Sequence, residues 1–118
     1  MTDFFVTDEQ CESALNYIRD QAPEYGRLRG LIGALEHEIK IAKGQAQLAF
    51  LDVDEACKRP TVGESIAHAD SCQDVRNLVK ELGGVKTDFH TLATHIKAAE
   101  LKIEVWRSLN SRANKGHV

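Results

Sequence analysis

The sequence predicts an all-α protein, a helical hairpin or coiled-coil-like bundle with a short N-terminal helix and a long C-terminal helix. Two long stretches place apolar residues at alternating three- and four-residue spacings, the signature of a helical seam. Proline occurs only twice, so little interrupts them. Aromatic residues make up 6% of the chain, so the core has to be built from Leu, Ile, Val and Ala, as in helical bundles. With 118 residues, 42% hydrophobic and 28% charged, the composition is that of one foldable domain.

Residues 1–6 read as an extended arm whose Phe4 and Phe5 are expected to dock on a helix or a neighbouring subunit. Thr7-Asp8-Glu9-Gln10 has the form of a capping box, in which Thr7 caps a helix and Gln10 reaches back to it. A first helix is expected over 7–20, with Ala14, Leu15 and Ile18 on its apolar face. Pro23 suits the first turn of a second helix, where its missing N–H costs little, and that helix is expected over 23–58. Its seam is Leu28, Ile32, Leu35, Ile39, Ala42, Ala46, Ala49 and Val53, widened by Leu31, Leu48, Phe50 and Leu51. Gly30, Gly33 and Gly44 each cost about 1 kcal/mol of helix propensity, and are expected to let another backbone approach. Lys58-Arg59-Pro60 ends the helix, because the residue before a proline is pushed out of the helical region.

Thr61-Val62-Gly63-Glu64 repeats the capping box and opens a helix over 61–111. Its seam is Val75, Leu78, Leu82, Val85, Phe89, Leu92, Ile96, Ala99, Ile103 and Trp106. The phase passes through Gly83-Gly84 undisturbed, which predicts one continuous helix, softened there, rather than a loop. From Ile66 to Ser111 it would run on the order of 65–70 Å, so it is expected to protrude or to pack on another chain. Residues 112–118 lack apolar periodicity and read as a frayed tail.

No motif for catalysis, cofactor binding or a metal stands in the chain. Glu36-His37-Glu38 sets a histidine between carboxylates, but neighbours on a helix point in different directions. His68 and Cys72, at i and i+4, supply two ligands where zinc usually takes four, and read as a structural pair. His90 and His95 diverge on a helix, and Asp70 and Asp74 read as solvated charges. The expectation is a non-enzymatic protein with no cofactor. Cys11, Cys57 and Cys72 are odd in number and match no paired spacing, which points to reduced thiols. No apolar run nears the roughly 20 residues that span a bilayer, and no charged-then-apolar leader opens the chain. A cytoplasmic, membrane-free protein is therefore expected.

The net charge of −3 hides an acidic start: residues 1–24 carry six acids (Asp3, Asp8, Glu9, Glu12, Asp20, Glu24) against Arg19. Glu36–Lys40, Asp54–Lys58 and Glu55–Arg59 are spaced as helix-surface pairs worth about 0.2–0.5 kcal/mol each. The bases not obviously matched include Arg27, Arg29 and Lys43, with Lys115 beside Arg107 and Arg112 at the C-terminal end. Separated charges of this kind hold a nucleic-acid backbone when an oligomer repeats them. Phe50 and Trp106 fall on apolar faces and read as core, so such binding would be backbone-directed and salt-sensitive.

Gly26-Arg27-Leu28-Arg29 through Ala49-Phe50-Leu51, a short break, and then Ile96-Lys97-Ala98-Ala99-Glu100-Leu101-Lys102-Ile103-Glu104-Val105-Trp106-Arg107-Ser108-Leu109-Asn110 together resemble small helical bacteriophage proteins. The layout, over residues 17–111, is similar to that of UvsY-type recombination mediators, a helical family that assembles through a long C-terminal helix. The resemblance implies an oligomer that binds single-stranded DNA and helps load a recombinase. Lys40 and Lys43 fall at that family's DNA-contacting stretch, although Gly44, Gln45, Ala46 and Gln47 add no further charge. On this reading Lys40, Lys43, Lys58, Arg59, Arg107 and Arg112 would hold phosphates, and Ile96, Ala99, Ile103 and Trp106 would form the assembly seam. The competing expectations are an anti-defence inhibitor, of the anti-CRISPR kind, whose acidic first helix occupies a basic channel on a host protein complex, and a structural or assembly helper.

Overall fold

The computed structural model describes residues 5–51 and 61–115, with side chains as far as residue 112. The described residues form three helices, α1 (Asp8–Leu51), α2 (Val62–Ser71) and α3 (Gln73–Lys115), and no strand. The all-α class and the long C-terminal helix agree with the sequence. The chain divides into two compact units, residues 1–27 with 89–118 and residues 28–88.

α1 starts where the capping box places it. The Thr7 hydroxyl accepts from the Gln10 N–H at 3.1 Å, and the Gln10 side-chain oxygen accepts from the Thr7 N–H at 3.0 Å. Asp8 and Glu9 then set negative charge at the positive end of the helix dipole. The boundary expected at 20–23 is absent: α1 runs through Pro23 for 44 residues. Its register explains the continuity. Counting back from Leu28 in steps of three and four gives Tyr25, Gln21, Ile18, Ala14 and Cys11, every one of them buried or half-buried. Ending the helix at Pro23 would throw half of these positions off the core side. Arg19 and Pro23 are both exposed, so the carbonyl left without a donor faces solvent rather than core. A proline inside a helix still costs about 3 kcal/mol, partly offset by its stiffening of the unfolded chain. Pro23→Ala is therefore expected to stabilise the protein by about 2 kcal/mol, read as a higher urea midpoint by circular dichroism. An unchanged midpoint would show that the interruption is free.

In the first unit α1 and α3 lie antiparallel, since Asp8 meets Trp106 and Tyr25 meets Phe89. Cys11, Ala14, Ala99 and Ile103 form the core, with Val6, Tyr17, Ile18 and Trp106 packed on it. The Trp106 indole N–H donates to the Asp8 carboxylate at 2.7 Å, which satisfies the polar edge of a half-buried ring. The Tyr25 and Phe89 rings sit 4.9 Å apart at a tilt of 40°. Of the expected arm, Val6 joins this core while Phe5 stays 67% exposed; Phe4 lies outside the described residues.

In the second unit Leu28, Leu35, Ala69 and Val75 are buried, flanked by half-buried Ile32, Ile39, Leu78 and Leu82. The helix expected over 61–111 is two helices. Thr61 caps α2, its hydroxyl accepting from the Glu64 N–H at 3.1 Å. Cys72 then turns extended, with φ −60° and ψ 136°. Its N–H bonds back to His68 and Ala69 while its carbonyl accepts from Arg76 and starts α3. The break follows from phase: carried back from Val75, the α3 seam would land on Ser71, His68 and Glu64, all polar. α2 instead buries Ser65 and Ala69, and one extended residue resets the rotation between the two faces. α3 crosses Gly83-Gly84 without interruption and continues to Lys115, so residues 112–115 are helical rather than frayed.

Candidate functional site

The described bases expected to hold phosphates fall in both units, Lys40 and Lys43 in the second and Arg107 and Arg112 in the first. Lys40 and Lys43 are a turn apart on α1 in the second unit. Lys40 is exposed and makes no ion pair with a described residue, so the pair expected with Glu36 does not form. Glu36 instead lies 3.7 Å from Lys86 of α3. Lys43 is half-buried and 3.3 Å from the Asp70 carboxylate of α2, so part of its charge is spent inside the chain. Such partly exposed pairs are worth up to about 1 kcal/mol. Lys58 and Arg59, with the expected helix end and the pairs to Asp54 and Glu55, lie outside the described residues.

Arg107 and Arg112 are exposed in the first unit. Because α3 stays helical past them, five residues of separation turns them about 140° apart, and they do not form one cluster. Arg27, expected to be unmatched, is held by Glu24 through two hydrogen bonds at 2.9 and 2.6 Å. That guanidinium draws the Glu24 carboxyl below the ordinary range for a glutamate.

The seam expected to assemble subunits is occupied within the chain. Ala99 and Ile103 are buried against Cys11 and Ala14, with Trp106 packed beside them and Ile96 half-buried. If the chain assembles, these four residues are already engaged within it. The close approach expected at the glycines is also absent among the described residues: a Cβ built at Gly30, Gly33 or Gly44 meets none of their atoms within 4 Å. No family model, curated protein or solved structure matches the chain.

The remaining chemistry is sparse. The His68 ring stacks on Phe50 with centroids 4.4 Å apart, and its Nε2 lies 3.7 Å from the Cys72 sulfur. These contacts make the pair a joint between α1, α2 and the start of α3. Among the described residues no group of three His, Cys, Asp or Glu is placed to hold a metal. The first unit carries an open groove of about 790 Å³ whose polar lining includes Gln10, Ser13, Tyr17, His95 and Lys102. No hydrogen bond among the described residues joins Ser13, Tyr17 and His95. Leu48 and Leu51, expected to widen the α1 seam, are exposed instead, and sequence reading did not single out the other large exposed apolar side chains of the second unit, Ile41 on α1, Val62 and Ile66 on α2, and Val79 on α3. No helix of the described residues is long and apolar enough to cross a membrane.

Proposed function

We propose that this chain is a non-catalytic binding protein that works as an oligomer, with single-stranded DNA as its ligand, in the manner of the phage recombination mediators whose layout it resembles. The observation that supports this reading is that many exposed bases on the long helices make no ion pair with described residues, among them Lys40 on α1 and Arg107 and Arg112 on α3. Neither unit gathers these three bases by itself, so affinity would come from repetition in the oligomer. With Phe50 stacked on His68 and the Trp106 ring held by Asp8, the aromatic side chains singled out above are already engaged, and contacts would run along the phosphate backbone.

A fluorescence-anisotropy titration of a labelled single-stranded oligonucleotide at about 50 and 200 mM salt tests the reading, since each phosphate contact steepens the salt dependence. Lys40→Glu is expected to weaken binding by roughly tenfold, and Lys43→Glu by less, because Asp70 already offsets Lys43. An absence of binding at the lower salt sinks the proposal.

A second reading has its own observation. Glu9 and Glu12 are exposed at the start of α1 and make no ion pair with described residues, whereas Asp8 and Asp20 are engaged by Trp106 and Arg19. This acidic edge suits a basic groove on a partner protein, as an anti-defence inhibitor would use. Charge reversal at Glu9 and Glu12 would then abolish function while Lys40→Glu leaves it intact.

A further inference from the structure

The C-terminal half of α1 carries a second heptad seam. Gly30, Ala34, His37, Ile41, Gly44, Leu48 and Leu51 are spaced four, three, four, three, four, three. The first six lie two residues on from the buried seam of Leu28, Ile32, Leu35, Ile39, Ala42 and Ala46, and so on the opposite side of the helix. Six of the seven are exposed, with Ile41 at 47%, Leu48 at 67% and Leu51 at 40%. The stripe is about 30 Å long and one helix wide, roughly 300 Å², which is where exposed apolar patches begin to mark interaction sites.

We infer that a second copy of this chain covers this face, with the two α1 helices antiparallel across a two-fold axis. Side-chain size selects the direction. The seam has small residues at its start (Gly30, Ala34) and large ones at its end (Leu48, Leu51). A parallel pair would set Leu48 on Leu48 and leave facing voids at Gly30, Ala34 and Gly44. The antiparallel pair sets Ala34 opposite Leu51, His37 opposite Leu48 and Ile41 opposite Gly44, so a large residue meets a smaller one in every layer. Gly44 has the room this requires, because a Cβ built there meets nothing within 4 Å.

Charge selects the register. Lys40 and Glu38 flank the seam and are both exposed. In antiparallel helices the flanking positions on each side face their own kind in the partner. With Ile41 opposite Gly44, Lys40 comes beside Gln47 of the second copy and Glu38 beside Gln45, so each charge meets an amide. Slipping the pair by one layer sets Ile41 opposite His37, and then Lys40 meets Lys40 and Glu38 meets Glu38. Like charges at both flanks disfavour that alternative. Gly44, which nothing among the described residues approaches, acquires a reason on this arrangement.

The inference rests on the oligomer of the reading above and not on its DNA, so it is tested without nucleic acid. Sedimentation equilibrium of the full chain over a roughly hundredfold concentration range is expected to show a monomer–dimer equilibrium. Ile41→Glu with Leu48→Glu should be monomeric throughout while keeping its helical circular dichroism, since both side chains are exposed in the monomer. Gly44→Ile, whose Cβ meets no described atom within 4 Å in the monomer, is expected to weaken the dimer by at least about tenfold through overpacking against Ile41. In a parallel dimer the same change would fill a void and tighten it. Gln47→Glu should tighten the dimer and Gln47→Lys loosen it, each by roughly threefold, through Lys40 of the second copy. A monomer at every concentration overturns the inference, as does association untouched by the glutamates. A dimer tightened by Gly44→Ile, or moved the same way by both Gln47 changes, overturns the antiparallel register. Loss of DNA binding with the dimer intact would refute the DNA reading alone.

Discussion

Alanine at Gly33, Gly83 and Gly84 together is expected to stabilise the protein by about 3 kcal/mol. All three lie inside helices, are exposed, and have negative φ, so an alanine fits their backbone without strain. An added Cβ meets nothing within 4 Å at any of them. The gain has two sources: the methyl group covers backbone that glycine leaves to water, and the unfolded chain loses freedom that glycine gives it. Each position contributes about 1 kcal/mol, and the set should raise Tm by roughly 10 °C. Thermal and urea unfolding followed by circular dichroism measure it. A fall in stability would mean that something does press on those backbones. Gly83-Gly84 also shows how the chain tolerates adjacent glycines mid-helix. Leu82 and Val85 on either side are half-buried, and packing of the flanking turns holds the weak one in place.

The α3 seam was legible because it is long and strictly periodic, and all ten of its positions are buried or half-buried. The α1 seam was legible to Ala46 and then misread. Ala49 is exposed while Phe50 is half-buried on His68. The spacing there is four and four (Ala42, Ala46, Phe50), because a straight helix drifts about 20° per heptad and an extra residue brings the apolar side back to its neighbour. Pro23 misled for the opposite reason. Its local preference is real, but the register from Cys11 to Leu28 crosses it, and the buried positions on both sides outweigh one lost hydrogen bond. The break at Cys72 was also in the sequence, as the polar run met when the α3 phase is carried back past Val75.

The candidate site was less legible because ion pairing is a tertiary property. Nothing local tells that Glu36 turns to Lys86 rather than Lys40, or that Asp70 claims Lys43. Arg27 is the exception, since Glu24 stands three residues before it, a spacing that puts both on one helix face. The outer stripe of α1 was present as Leu48 and Leu51, read as widening one seam. Leu48 stands two residues on from Ala46, a turn of about 200°, so it belongs to a second seam on the far side, with Leu51 one turn on.

Leu35 and Leu48 turn that distinction into a measurement. They are the same residue type on the same helix, 3% and 67% exposed. Leu35→Ala removes side-chain atoms from the packed face and leaves a cavity that the neighbouring helices close only in part. It is expected to cost about 3 kcal/mol of unfolding free energy. Leu48→Ala removes a side chain that solvent already reaches, so at concentrations where the chain is monomeric it should change stability by less than about 0.5 kcal/mol. The order inverts for association. With its fold restored by the alanines at Gly33, Gly83 and Gly84, the Leu35 variant should dimerise as the parent does, while the Leu48 variant loses roughly tenfold or more in dimer affinity. Urea unfolding at low concentration and sedimentation at high concentration read the two quantities separately. Equal costs in unfolding would place Leu48 in the monomer core, and equal dimer affinities would show that the outer face meets no second copy.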